Sequence, residues 1–365
     1  MNLQVCDGGG PPRILVEMLR IGPIQLDLPV IQAALSGYSD AAMRLIARSC
    51  GAPYAIHEVV LDKIVVHSPK LRRQIVAIPP NDHPVGGQLM GAEPALFAQA
   101  AQLLAECGYD VIDINFGCPV RKVLGRCRGG YLLSEPATAI SILRSVRAAV
   151  PAAIPVTLKM RRGMDDSADS ERAFFTIFDA AIEAGLAAIA VHGRTVEQKY
   201  VGPACWRFIE RVKRYAGEFT ILGSGDVFTA TDAVRMLEST GVDGVWAARG
   251  CIGNPWLFAE VRALLSGAPL PEPPSVAEQG RVIRAHFELS EAHHGDKAAR
   301  MMRKFGIKYS ELHPSGEAVR DAFIAVQNRD QWLDVLDRWY DPERDWPPGV
   351  RKEGPGALIA AGAEA

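Results

Sequence analysis

Apolar residues along this chain gather in short, mostly non-alternating runs. They lie near residues 29–34 (PVIQAA), 54–60 (YAIHEVV), 84–90 (PVGGQLM), 111–116 (VIDINF), 155–160 (PVTLKM), 187–192 (AAIAVH), 219–223 (FTILG) and 243–248 (DGVWAA). Short runs bounded by Gly or Pro are the pattern of strands buried on both faces. Helical periodicity fills most of the intervals: 39–50, 94–107, 136–150, 170–184, 204–215, 229–240 and 255–265. Ser39 is a candidate N-cap for the first, and Pro94 with Gly108 brackets the second, as helix ends favour. Only the segment after the second run, 61–80, is irregular. Eight strands, each followed by a helix or crossover within about 240 residues, predict a (β/α)8 TIM barrel. A doubly wound open sheet is the alternative, weakened because no GxGxxG opens the first βα turn.

The pattern then changes. Residues 266–276 (SGAPLPEPPSV) read as a Pro-rich linker, and 277–346 have helical composition without strand signals, a small all-helical C-terminal domain. Residues 1–23 read as an N-terminal extension, 24–265 as the barrel and 347–365 as a disordered low-complexity tail.

Composition narrows the class. With 48% hydrophobic and 22% charged residues the chain is globular, not disordered or a rod. A net charge of −2 excludes a strongly basic nucleic-acid coat but not a local basic face. The seven cysteines are odd in number, widely spaced and without a CxxC pair, so neither a disulfide framework nor a metal site is expected. No signal peptide and no apolar run of ~18 residues is read, which points to a cytoplasmic protein with reduced thiols and no membrane partner. A monomer is expected.

Chemistry in such a barrel belongs at the C-terminal strand ends. His57 and Glu58, Gln88, Asn115 and Cys118, Lys159 and Arg161, His192 and Arg194, the Ser224-Gly225-Asp226 turn and Arg249-Gly250 all fall there. The last two turns suit an anion, or are ordinary βα turns. Lys159 lies inside a buried strand, so its ammonium needs a phosphate, an anionic ring or a carboxylate such as Asp113. Cys118, in a Gly-Cys-Pro turn, is either an acid or nucleophile or a buried thiol. Arg121, Lys122, Arg126 and Arg128 follow it, and Arg300, Arg303, Lys304 and Lys308 share helical spacing. Both groups would meet phosphates or simply be solvated. Residues 281–310 hold seven Lys/Arg against three Asp/Glu, whereas 311–350 are acidic.

Together these stretches resemble one family. DINFGCPVRKV (113–123) is similar to the signature of the tRNA-dihydrouridine synthases, and PVIQAALSGYSDAAMR before it and VTLKMRRG, VHGRT, GSGD, ARGCIGNPW and MRKFGIKY after it fall in register with that family. The resemblance covers roughly residues 23–340. It implies an FMN-bound barrel with a helical tRNA-binding domain, and NADPH-dependent reduction of the uridine C5–C6 double bond. It assigns Cys118 as the general acid. Ala34, Leu35, Ser36, Gln88, Lys159, His192, Ser224, Gly225, Asp226, Ala248 and Arg249 match cofactor contacts. Asn115, Arg121, Lys122, Arg161, Arg194, Arg300, Arg303, Lys304 and Lys308 match the uracil and tRNA side. Three departures stand out: Ala34-Leu35-Ser36 replaces Pro-Met-Ala, Ser224 replaces Asn and Ala248 replaces Gly. The rivals are a flavin dehydrogenase of a free pyrimidine, resembling dihydroorotate dehydrogenases, a Schiff-base aldolase using Lys159, and a non-catalytic tRNA-binding relative.

Overall fold

The computed structural model describes residues 18–75 and 77–354. Eleven strand segments form in chain order. A hairpin, β1 (Leu19–Ile21) and β2 (Ile24–Leu26), precedes β3 (Val30–Gln32), β4 (Ala55–Ile56), β5 (Val60–Leu61), β6 (Val85–Met90), β7 (Val111–Phe116), β8 (Val156–Arg161), β9 (Ala188–His192), β10 (Ile221–Ser224) and β11 (Gly244–Ala247). From β3 onward all neighbours are parallel, and β11 pairs back onto β3, with Trp246 opposite Ile31. That closure excludes the open sheet and makes a (β/α)8 barrel. The second barrel strand is split: β4 and β5 both pair with β6, Ile56 opposite Gly86 and Val60 opposite Leu89. Three residues, His57, Glu58 and Val59, therefore face two, a bulge that ends regular pairing at the barrel mouth.

Fourteen α-helices complete the described chain. Those of the barrel are α1 (Ala41–Ser49), α2 (Asp62–His67), α3 (Pro69–Ile75), α4 (Pro94–Glu106), α5 (Arg121–Leu124), α6 (Pro136–Ala149), α7 (Ala168–Glu183), α8 (Trp206–Ala216), α9 (Ala230–Thr240) and α10 (Leu257–Leu265). The expected cap of α1 shifts by one residue. Asp40 accepts from the Met43 amide at 2.9 Å, and Ser39 instead accepts from the Leu35 amide at 2.8 Å. The irregular 61–80 stretch contains the short α2 and α3. The loop after it is fastened by Asp82, fully buried between Arg44 (2.6 Å) and Arg48 (2.9 Å) of α1.

Strand side chains alternate between the helix layer and the barrel interior. Ile112, Ile114, Phe116, Val156, Leu158 and Met160 join the large core with the helices. Val111, Ala188, Ala190, Leu222 and Trp246 join a second, inner cluster that also holds Leu19, Ile21 and Leu26. The hairpin is thus part of the barrel's inner packing. This corrects the domain boundary at 23/24, which cuts through it; Gly22-Pro23 makes the hairpin turn. Residues 1–17 of the expected extension lie outside the described residues.

The helical domain follows as α11 (Val276–His294), α12 (Ala298–Tyr309), α13 (Gly316–Ala325) and α14 (Arg329–Trp339). Its core stacks Phe287 on Trp332 at 4.9 Å, with Phe323 at 4.8 Å from the same indole. It docks on the barrel through Tyr38 against Phe305 (5.3 Å), Trp256 Nε1 donating to Glu278 (2.7 Å) and His294 against Asp40 (3.1 Å). The expected tail also needs correction. Residues 347–354 are ordered chain with side-chain and backbone partners, and only 355–365 fall outside the described residues.

Candidate active site

Parity along the strands explains why polar groups collect at one end. Gln88, Asp113, Asn115, Thr157, Lys159, Arg161, His192 and Ser224 all occupy inward positions, alternating with the apolar residues that face the helices. Their register makes them neighbours: Gln88 lies opposite Asp113, Asn115 opposite Lys159, Arg161 opposite His192 and His192 opposite Ser224.

A hydrogen-bond ladder runs up this wall. Asp113 is wholly buried and accepts from Thr157 Oγ1 (2.5 Å) and Gln88 Nε2 (2.7 Å). Gln88 Oε1 in turn accepts from Asn115 Nδ2 at 2.7 Å. Asn115 Oδ1 accepts from the Gly117 and Cys118 amides, each at 3.0 Å. Strand β7 therefore ends in an Asx-type turn that fixes the Cys118 backbone, and Gly130 N donates to Cys118 O at 3.0 Å from the far side. Burial pushes the half-buried Cys118 thiol above its ordinary value, so it keeps its proton at neutral pH. That is the state a proton donor requires and the opposite of an activated thiolate.

Lys159 is the conspicuous charge. Its Nζ is buried without a hydrogen-bond partner and stands 5.4 Å from the centroid of the Trp246 ring. Burial, with nearby Arg161, pushes its pKa down to about 7, and burial pushes Asp113 up to about 6. An anionic or polar guest at Nζ would restore the ammonium. His192 is held neutral, well below its ordinary value, by burial and by Lys159, Arg161, Arg194 and Arg249. Its Nδ1 accepts from the Arg194 amide at 3.1 Å, which leaves Nε2 as the protonated nitrogen.

The turn after β10 is tight. Gly225 has φ +120°, and a Cβ there would meet Ala204 Cβ at 2.7 Å. Asp226 follows at φ +55°, sparsely allowed for a non-glycine residue. Its carboxylate holds that geometry, accepting from Arg194 (2.7 Å) and Ala204 N (2.7 Å) and pairing with Arg249 (3.4 Å). Asp226 thus shapes the turn with its side chain and leaves the backbone to meet a ligand. The first turn of α9 is closed by a Thr229–Asp232 capping box, so an anion would be met by the Gly225–Asp226 turn and Arg249. Ala248 packs against the inner cluster, so its extra methyl is accommodated in the barrel.

The expected tRNA residues divide. Arg121 and Lys122, on the short α5, are exposed. Arg161 is tied to Gly117 O (2.9 Å) and Thr195 O (2.8 Å), and Arg194 to Gly202 O (2.8 Å) and Asp226. Both brace the rim loops. On α12, Arg300 is exposed and Arg303 half-buried beside α13, with long bonds to Gln327 O (3.3 Å) and Ile324 O (3.5 Å). Lys304 turns to the barrel instead, donating to Gly37 O with its ammonium 4.7 Å from the Tyr38 ring centroid, and Lys308 pairs with Glu311 at 2.6 Å. Ala34, Leu35 and Ser36 form the turn after β3, just before Gly37. A cleft of about 960 Å³ runs between this rim and the helical domain, lined by Arg73, Lys122, Arg126, Arg128 and Lys297 against Asp40 and Glu58. Cys118, Lys159 and His192 are not among its lining residues; Ser36, His57 and Met90 carry it to the barrel mouth. Thr157, Trp246 and the Tyr200 ring, which faces Arg161 (5.6 Å) and Arg249 (5.2 Å), were missed by sequence reasoning. Inward parity with Lys159 was an available signal for Thr157.

The family model described as "Dihydrouridine synthase (Dus)" matches residues 31–341. The chain belongs to the dihydrouridine synthase family. It is 37% identical over 330 residues to a probable tRNA-dihydrouridine synthase of Mycobacterium tuberculosis, covering 88% of this chain and 84% of that one. It is 33% identical to tRNA-dihydrouridine synthase B of Pseudomonas aeruginosa, covering 86% and 93%. Among solved structures, a 2-naphthoyl-CoA reductase complex superposes with TM-score 0.56 at 12% identity, covering 70% of this chain and 53% of that one. Histamine dehydrogenase from Rhizobium gives 0.53 at 16%, covering 76% and 51%. The chain spans about half the length of those structures, and they share its fold alone. Among the described residues no helix is long and apolar enough to cross a membrane.

Proposed function

We propose that this protein reduces the C5–C6 double bond of a uridine in tRNA, with FMN as its flavin and NADPH as reductant, in the cytoplasm. The observation that carries the reading is the Cys118 thiol, its pKa raised by burial, held by Asn115 on the strand adjoining the one that bears a buried, unpartnered Lys159. A flavin fits the residues present. Lys159 Nζ lacks a partner, and Ala33, Ala34, Ala190 and Ala248 keep the top of the inner barrel cluster small. Gln88, Lys159, His192 and the Ala34-Leu35-Ser36 turn would hold its ring, and Ser224, Gly225, Asp226, Ala248 and Arg249 its phosphate. When bound, FMN supplies the hydride that adds at C6 of the base. Cys118 holds at Sγ the proton that C5 must receive, and its raised pKa keeps that proton available. A uridine stacked in tRNA must flip out to reach a barrel mouth. The basic lining of the cleft suits the backbone phosphates that flank such a base. Asn115, with Arg161 and Arg194 bracing the rim, is assigned to the uracil side, and Arg121, Lys122, Arg300 and Arg303 to phosphates.

Lys159→Met tests the cofactor part. A charge-assisted bond lost from a buried site should weaken FMN binding by about 10- to 100-fold. Fluorescence titration of the apoprotein measures this, and the unfolding midpoint should hold because an unpartnered ammonium is removed. Full FMN occupancy in Lys159→Met would contradict the assignment.

A further inference from the structure

The loop after the last barrel strand, Ala248–Asn254, carries two of the residues assigned to the phosphate. It is held by chain that lies far along the sequence. Gly253 has φ +68° and lies against α12, where a Cβ would come 2.4 Å from the Lys308 carbonyl carbon. Lys352 Nζ donates to the Ile252 carbonyl at 3.0 Å and pairs with Glu311 at 3.4 Å, with its side chain only 9% exposed. Glu311 sits in the 3-10 turn Ser310–Leu312 that follows α12. Next to it, Arg351 pairs with Glu260 of α10 at 2.6 Å and donates to Pro271 O in the linker. Val350 N donates to Leu312 O at 2.8 Å. Gly354 reaches the first turn of α9, where a Cβ would stand 3.1 Å from Asp232 Oδ2.

Residues 350–354 thus cross from the helical domain, over the loop after β11, to the helix that follows the Ser224–Asp226 turn. We propose that this segment is a strap in which Lys352 and Arg351 are positioning residues. They lock the loop bearing Ala248 and Arg249 to the helical domain, so that the phosphate turn and the tRNA-facing helices keep one relative placement. The chemistry supports a lock over a surface contact. A buried ammonium is held only where carbonyl and carboxylate partners converge, and here one partner comes from each domain. Loss of Lys352 would free the loop on one side and leave Glu311 with Lys308 alone.

The proposal rests on the tRNA-reductase reading for its FMN and tRNA arms, and the exchange arm stands apart from it. The test compares Lys352→Met, Lys352→Arg, Glu311→Gln and the double variant Lys352→Met/Glu311→Gln in the full chain. Amide hydrogen exchange at 248–254 is read first, then FMN dissociation, and then KM and kcat for unmodified tRNA. Lys352→Met is expected to speed exchange at 248–254 and to raise the FMN dissociation constant and the tRNA KM by about fivefold each, with kcat little changed. Lys352→Arg should restore all three, and Glu311→Gln should add little once Lys352 is gone. Wild-type exchange rates at 248–254 in Lys352→Met would overturn the strap. So would a Lys352→Arg variant as impaired as Lys352→Met, which would mean that a positive charge at this position is not what holds the loop. If Lys352→Met does not fold, Arg351→Gln, whose side chain is 33% exposed, takes its place in the exchange measurement. Faster exchange at 248–254 would then support the strap, and wild-type exchange would overturn it. A wild-type protein that forms no dihydrouridine would sink the functional reading while leaving the exchange arm decisive for the strap.

Discussion

Cys118→Ala is expected to lower dihydrouridine formation by about 10²- to 10⁴-fold, the range carried by one positioned proton donor. The substitution should leave the site otherwise intact. Asn115 holds residue 118 through its backbone amide, and Gly130 N binds its carbonyl, so neither contact needs the thiol. FMN binding should be unchanged, because the groups assigned to it lie on β6, β8, β9, the end of β10 and the turns after β3, β10 and β11. NADPH oxidation with dioxygen as acceptor should therefore continue while tRNA reduction fails. Product is read by quantifying dihydrouridine in digested tRNA. An alanine variant with wild-type turnover would remove Cys118 from the chemistry. Because burial raises the thiol pKa, activity that depends on the protonated form should be flat across neutral pH and fall only as alkaline pH removes the proton.

The largest effect on stability should come from a residue far from the chemistry. Asp82 is fully buried and bonds Arg44, itself fully buried, and Arg48. Arg44 NH1 also donates to Ser39 O at 2.9 Å, next to the turn that carries Ala34, Leu35 and Ser36. Asp82→Ala removes the partner of an interior guanidinium and should cost about 3–5 kcal/mol. Asp82→Asn keeps acceptor geometry and should cost less. Denaturant unfolding followed by circular dichroism measures both. A loss below about 1 kcal/mol in Asp82→Ala would mean that Arg44 finds water or another partner.

These two residues mark what sequence reasoning reached and what it missed. Cys118, Asn115, Gln88, Lys159, His192 and Ser224 were legible because a barrel turns strand parity into shared space, and the strands were visible as continuous apolar runs. Asp82 was not, since nothing local to a loop aspartate says which distant arginine it meets. The N-terminal hairpin escaped because LRIGPIQL is too short and too broken by Gly22-Pro23 to show a period. The bulge at His57–Val59 escaped because its extra residue is defined only against the partner strand. On α12 the spacing placed Arg300, Arg303, Lys304 and Lys308 on one side, yet docking against Gly37 and Tyr38 takes Lys304 out of that set. Residues 350–354 look like low-complexity chain, and their order comes from Glu260, Glu311 and Leu312, none of them near in sequence.

Reduction of a tRNA uridine by the barrel and helical domain together, through a bound flavin, can be measured directly. Purified protein, supplied with FMN and NADPH, should convert unmodified tRNA to a product with dihydrouridine at defined positions, mapped nucleotide by nucleotide, with one NADPH oxidised per base reduced. A preparation that binds no FMN and leaves every uridine unreduced would contradict the account.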